Sequence, residues 1–158
     1  MFRPMVRTRQ QLSDAECAEI LQQEVRGVLS VLGDEGYPYG VPIDYWYCPE
    51  EGRIYFHSGR KGHKVDAFTR DNKASFCVYD QGYRVDGAWP LHIRSIIAFG
   101  RIGIVEDPSW GIEVCRRLSL RFTGDEQEIQ EEIDRSWSRT LVFYLQIEHM
   151  TGKLVKES

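Results

Sequence analysis

Six short runs of β-like sequence, each closed by a turn signal, are the feature that most limits what this chain can fold into. They lie at 27–32, 37–47, 53–57, 74–79, 93–105 and 140–149, and helical patterns occupy only 13–27, 62–70, 107–122 and 126–137. Strands that follow one another directly favour a barrel or a sandwich over a doubly wound parallel sheet. The sequence therefore predicts a mostly β protein with flanking helices (α+β), folded as a single domain over 1–158.

Particular residues refine this prediction. Ser13, followed three positions later by Glu16, is a capping-box pattern that predicts a helix start. Pro38 and Pro42 each remove a backbone donor, so the second strand is predicted to lie at a sheet edge or beside a ligand. The 93–105 run contains two internal glycines, which indicate bulges or a barrel bend.

The segment IYFHSGRKGHKVDAF, residues 54–68, predicts a strand that turns directly into a helix. Its turn carries a hydroxyl, two glycines and the cations Arg60, Lys61 and Lys64. Glycine lets the backbone approach a ligand, a helix N-terminus directs N–H groups at it, and the cations supply charge. We interpret the turn as an anion site for which phosphate is the natural guest; a solvated basic surface turn is the alternative.

Charge and composition exclude several classes of function. The net charge of −4 disfavours a nucleic-acid partner, because such proteins carry a basic excess. The four cysteines form no CxxC pair and have no histidine at ligand spacing, so neither a metal site nor a disulfide framework is expected. The N-terminal sequence has no apolar leader region, and no run is long enough to cross a bilayer, so we expect no membrane association and a cytoplasmic location.

The order of five segments resembles the pyridoxamine 5′-phosphate oxidase-like flavoproteins, the FMN-binding split β-barrels, and within them the nitroimidazole-resistance-related branch. The segments are LSDAE, GVLSVLGDEGYPYGVPIDY, IYFHSGRKGHKVDAF, RSIIAFGRIGIVED and IEHMTGK. The resemblance extends over nearly the whole chain, and the order and spacing of the five segments make it specific.

The resemblance implies a six-stranded antiparallel split β-barrel and a homodimer with FMN at the subunit interface. It implies that Arg60, Lys61 and Lys64 hold the FMN phosphate, while His57 and Ser58 lie along the ribityl chain and phosphate. It further implies that Val41, Pro42, Ile43 and Asp44 run along the isoalloxazine edge and that Ser95 makes a polar contact to the flavin.

Several side chains have two interpretations on the residues alone. His57 is either a structural histidine at a strand end or a contact to flavin or substrate. Trp89, in a polar loop, is a candidate aromatic lid over the flavin, and His92 is a candidate on the substrate side. The sequence offers no convincing nucleophile–base pair, so no catalytic side chain is predicted.

The resemblance implies an FMN-dependent oxidoreductase that reduces a small nitroaromatic or quinone-like molecule. Hydride transfer would occur at flavin N5, with NAD(P)H as the electron source. The alternatives are a non-catalytic flavin-binding or redox-sensing protein, a binder of haem or of the deazaflavin F420 on the same fold, and a purely structural dimer. Oxidation of pyridoxamine phosphate is not expected, because the chain lacks the C-terminal Arg–His motif of those oxidases.

Overall fold

The computed structural model describes residues 1–157, so Ser158, the last residue of the predicted domain, lies outside the described residues. The strands are Arg26–Leu32 (β1), Pro38–Asp44 (β2), Trp46–Cys48 (β3), Arg53–Gly59 (β4), Lys73–Tyr79 (β5), Leu91–Ile104 (β6) and Thr140–Glu157 (β7). The helices are Asp14–Gln23 (α1), His63–Arg70 (α2), Pro108–Ser119 (α3) and Glu126–Ser136 (α4), and short 3₁₀ turns lie at Thr8–Gln10, Asp34–Gly36 and Trp137–Arg139.

The strands form one antiparallel sheet in the order β2-β1-β5-β6-β7-β4-β3. The predicted count of six strands was wrong, because the 37–47 run divides into β2 and β3. Tyr45 separates them: its side chain is fully buried against Phe76, which turns the chain from one edge of the sheet to the other. Both edges of the sheet therefore come from one short segment, and the sheet curls so that β2 approaches β4.

Two details of the sheet agree with the sequence predictions. β2, which contains Pro38 and Pro42, is an edge strand paired only with β1 among the described strands. A bulge in the β6–β7 ladder lies between Phe99 and Gly100. A Cβ atom on Gly100 would lie 1.9 Å from the Gln146 carbonyl oxygen, so only glycine fits where the strands cross so closely.

The interior of the curled sheet is the main hydrophobic core. Phe56, Phe76 and Phe143 are fully buried there and pack ring against ring. The amphipathic helices α1 and α2 close this core with apolar faces that include Ile20 and Phe68. The capping box of α1 forms as predicted, since Ser13 accepts from the Glu16 backbone and Glu16 accepts from the Ser13 backbone.

A second, smaller core attaches α3 and α4 to the outer side of β4 and β7. Val114 and Leu118 of α3 and Ile133 of α4 are buried against Tyr55 and Val142 of the two strands. These two helices follow each other in the chain, and their packing places α4 beside the end of β4. None of the helices in residues 1–157 is long and apolar enough to span a membrane.

Candidate functional site

The turn after β4 presents the N-terminus of α2 to a concave surface. Gly62 caps this helix with φ 135°, a conformation that favours glycine, and no side chain of the described residues bonds to the cap. Helical hydrogen bonding begins with Asp66, whose N–H donates to the Gly62 carbonyl at 3.0 Å. The preceding backbone N–H groups are therefore available to an anion.

A cavity of about 580 Å³ opens where the end of β4 meets α3, α4 and the start of β7. Three predicted site residues, His57, Ser58 and Lys64, line it, together with Arg139. Sequence reasoning missed Arg139, which reaches the cavity because β7 pairs with β4 in a register that places Thr140 opposite Gly59. The cavity thus combines two cations, one carboxylate (Glu132) and polar groups at the end of a strand.

The two leading candidates for phosphate binding lie outside this cavity. Arg60 and Lys61 are exposed at the turn and are not among the lining residues. The Arg60 side chain donates from Nε to the Ser138 carbonyl oxygen at 3.2 Å. This bond holds Arg60 beside the segment that carries Arg139.

A second cavity of about 290 Å³ lies on the other side of His57. Its lining contains Pro42, Ile43, Asp44, His57 and Arg26. Asp44 accepts a hydrogen bond from Arg26 Nε at 2.6 Å, an ion pair between residues that face each other across the β1–β2 hairpin. Arg26 was also missed, although the hairpin supplies a signal: Arg26 and Asp44 are equally distant from its turn.

His57 lines both cavities. The residue is exposed, but the protein atoms around the imidazole displace part of its water and lower its pKa, and the carboxylate of Asp44 opposes this shift more weakly. The ring is therefore neutral at pH 7 and able to donate from one nitrogen and accept at the other.

Val41, the remaining residue predicted to run along the isoalloxazine edge, packs its side chain against the core. Burial alternates along β2, with Pro42 exposed and its two neighbours partly buried. Val41 therefore contributes only backbone atoms to the outer surface. Because β2 is an edge strand, every second residue directs its N–H and C=O groups away from β1, where a ligand could meet them.

Ser95 lies further along the sheet, on β6, opposite Tyr79 of β5 and Lys153 of β7. It lines neither cavity, but Tyr79 lines a third one of about 280 Å³ that shares Arg26 and Pro42 with the second. Ser95 is thus one strand away from the third cavity, which Tyr79 lines.

The two substrate-side candidates lie in or beside the 80–90 loop. Trp89 is 71% exposed, and its carbonyl accepts a hydrogen bond from Arg84 Nε at 3.1 Å. His92 stacks on Tyr83 with ring centroids 4.8 Å apart. Neither side chain lines any of the three cavities.

One thiol lines the first cavity. Cys115 of α3 is buried at its wall, and burial raises its pKa to about 11. A thiol with so high a pKa is protonated at neutral pH and acts as an apolar wall, not as a nucleophile.

The family model described as pyridoxamine 5′-phosphate oxidase matches residues 13–154 of this sequence. The chain belongs to this family. The match covers every strand and helix described above except the last few residues of β7, so the suspected family is confirmed. A comparison with curated proteins gives no match.

Solved structures with the same fold come from several bacteria. A protein assigned to 5-nitroimidazole antibiotic resistance from Bacteroides thetaiotaomicron superposes with TM-score 0.77 at 19% identity, covering 93% of this chain and 87% of the other. An FAD-binding protein from Mesorhizobium loti gives TM-score 0.67 at 20% identity, covering 92% and 97%. The flavocytochrome Anf3 from Azotobacter vinelandii gives 0.75 at 18% identity, covering 97% and 72%. These similarities establish the split-barrel fold.

Proposed function

We propose that this protein binds a flavin mononucleotide group in the cavities that meet at His57 and uses it to reduce a small organic molecule. The observation that carries the proposal is that the two cavities share His57 in their walls, with Lys64 and Arg139 lining the first and Pro42 of the edge strand lining the second. A phosphate ester joined to a flat polar ring has this distribution of charge and shape. The structural relatives from Mesorhizobium loti and Azotobacter vinelandii, an FAD-binding protein and a flavocytochrome, also support a flavin.

The cationic end suits the phosphate. Lys64 is half-buried in the cavity wall and follows the uncapped start of α2. Its ammonium group, the Arg139 guanidinium and the free backbone N–H groups would together balance a dianion. Arg60 and Lys61 at the rim would add a longer-range attraction that salt weakens.

The other end suits a planar ring with heteroatoms. The free edge of β2 offers backbone donors and acceptors, interrupted at Pro42, which has no N–H. His57 would contribute a neutral imidazole between the ring and the sugar chain, and the Arg26–Asp44 pair would border the outer side. A bound flavin supplies the redox chemistry, accepting and releasing a hydride at N5. The protein would orient it and exclude water.

The second substrate would approach from the side of the Tyr79 cavity, and Trp89 and His92 would border that approach. We propose a nitroaromatic or quinone-like compound as the acceptor and NAD(P)H as the donor. A flavin-dependent reduction of this kind needs no protein nucleophile, which fits the high pKa of Cys115.

We also propose that the site is completed by a second copy of the chain. Val28, Tyr79, Ile97 and Phe99 form an apolar row on the outer face of the sheet, and each is at least 36% exposed. Val28 and Tyr79 also line the third cavity, so a partner on this face would form one wall of the substrate approach and border the proposed flavin site. Replacing Ile97 by arginine should yield a monomer in sedimentation experiments and release the flavin.

The test of flavin binding is direct. Purified protein should be yellow, with absorption bands near roughly 375 and 450 nm, as expected of a protein-bound flavin. Anaerobic NADH or NADPH should bleach the 450 nm band, and a nitroaromatic or quinone should restore it. Protein that is colourless and binds no added flavin would refute the proposal. A stable yellow protein that no reductant bleaches would favour a storage or sensing role.

A further inference from the structure

A further cavity lies where the end of α1 meets β3 and the last turn of α3, and it is lined by residues that include Leu21, Trp46 and Arg117. Its volume of about 550 Å³ is within the range of about 300–1,000 Å³ that is usual for small-molecule sites. This α1–α3 cavity shares no lining residue with the three cavities described above. We propose that it binds a small organic carboxylate with an aromatic or aliphatic body, independently of the proposed flavin site.

Positive charge is in excess along the wall of the α1–α3 cavity. Three arginines line it with a single carboxylate: Arg116, Arg117, Arg121 and Glu50. Arg116 and Arg117 are both ion-paired with Glu113, which does not line the cavity, and Arg116 also pairs with Glu126. Arg121 therefore carries the charge that an anionic ligand would meet.

Arg121 is held in place without a carboxylate partner. It is half-buried, and among residues 1–157 its guanidinium donates to backbone carbonyls at the end of α1 and to the Tyr45 carbonyl, and to no carboxylate. The dipoles of these carbonyls offset only part of a full positive charge. The bonds come from Nη1 and Nη2, so the Nε–H has no partner among the described residues. A guanidinium fixed in this way loses little side-chain freedom when it binds an anion.

The rest of the lining suits an apolar ligand body. Leu21 is fully buried at the wall, and Trp46 and Tyr47 of β3 are partly buried there. The guanidinium carbon of Arg117 lies 4.8 Å from the centre of the Trp46 ring, which keeps a cation beside this aromatic wall. An inorganic anion would leave the apolar part of the cavity uncovered. The combination of apolar and cationic groups therefore favours an organic carboxylate.

The experiment compares 2-naphthoate with its neutral amide, 2-naphthamide, on the purified protein by isothermal titration calorimetry. The two probes have the same ring system and differ in the charge of one group. Because a charge-assisted hydrogen bond is stronger than a neutral one, we expect 2-naphthoate to bind at least about tenfold more tightly. Added salt should reduce this preference.

Leu120 supplies a matched pair of variants, because it lines the α1–α3 cavity and is 38% exposed. Substitution of Arg121 itself would also remove bonds that support the fold. Leu120→Glu adds a carboxylate that would compete for the guanidinium groups, and it should weaken 2-naphthoate binding about tenfold. Leu120→Gln has nearly the same shape without the charge and should change the affinity by less than about threefold.

Each other outcome would contradict the inference. Equal affinities for the acid and the amide would show that the cavity does not recognise an anion, and no heat of binding from either probe up to millimolar concentration would show that it is not a site. Binding of 2-naphthoate that Lys64→Met removes and Leu120→Glu leaves unchanged would place the anion in the cavity at His57 instead. Flavin binding is measured separately by absorption, so failure here leaves the proposed function intact.

Discussion

Lys64 gives the sharpest test of where the phosphate binds. Replacing it by methionine keeps the aliphatic stem and a comparable helix propensity but removes the ammonium group from the cavity wall. Lys61, three positions earlier, is exposed at the rim and does not line the cavity. The pair Lys64→Met and Lys61→Met therefore removes the same charge from a position that lines the cavity and from a nearby position that does not.

The expected magnitudes differ because the two ammonium groups differ in burial. A hydrogen bond between charged groups contributes about 1.5–3 kcal/mol, so Lys64→Met should raise the Kd for FMN about 10- to 150-fold. An exposed, solvent-screened charge contributes about 0–1 kcal/mol, so Lys61→Met should raise it no more than about fivefold.

The assay is a titration of deflavinated protein with FMN and, in parallel, with riboflavin, which has no phosphate. Lys64→Met should weaken FMN binding and leave riboflavin binding unchanged, and added salt should reduce the difference between variant and wild type. Equal losses for FMN and riboflavin would show that Lys64 does not contact the phosphate. A larger loss of FMN affinity in the Arg60→Ala/Lys61→Ala double variant than in Lys64→Met would show that the phosphate binds at the exposed turn instead.

Three further predictions concern the scaffold. The lowered pKa of His57 means that the unfolded chain binds more protons than the folded chain below about pH 6.5. The free energy of unfolding should therefore fall as the pH drops through that range. His57→Gln should flatten this dependence in urea titrations from pH 5 to 8. Gly100→Ala should lower the free energy of unfolding by about 3 kcal/mol or more, because its Cβ would clash with a β7 carbonyl, whereas Gly124→Ala, in open space, should change it by no more than about 0.5 kcal/mol. Arg121→Met should lower the melting temperature by several degrees, because Arg121 donates to the Gln22 carbonyl at 2.8 Å and to the Tyr45 carbonyl at 2.6 Å. The control Arg9→Met should leave the melting temperature unchanged.

The local pattern of the chain was predictable because it depends on neighbours in sequence. The strand, turn and helix of the 54–68 segment occur as Arg53–Gly59 and His63–Arg70, and Ser13 caps its helix as the pattern predicts. The edge position of β2 followed from Pro38 and Pro42, since a residue without an N–H weakens any interior ladder. Each of these features is set by backbone chemistry within a few residues.

The boundary between β2 and β3 was not predictable from the same local rules. Residues 37–47 read as one strand because their composition is β-like throughout. In the structure, Tyr45 packs against Phe76 at the point where the chain leaves one edge of the sheet and joins the other. That choice curls the sheet and brings Pro42 and Asp44 to the cavity beside His57.

The composition of the candidate site was likewise a matter of tertiary structure. The basic turn by itself indicates an anion and names Arg60, Lys61 and Lys64, but it cannot say which of them faces a cavity. That depends on the pairing of β4 with β7, which brings Arg60 to Ser138, 78 positions away, and supplies Arg139. The sequence by itself determined the family and the order of most elements, and it predicted an anionic ligand, because these inferences depend on residue type and short-range spacing. The tertiary structure alone decided which cations line the cavity and how far it extends, because contacts between distant segments form only when the sheet closes around its core.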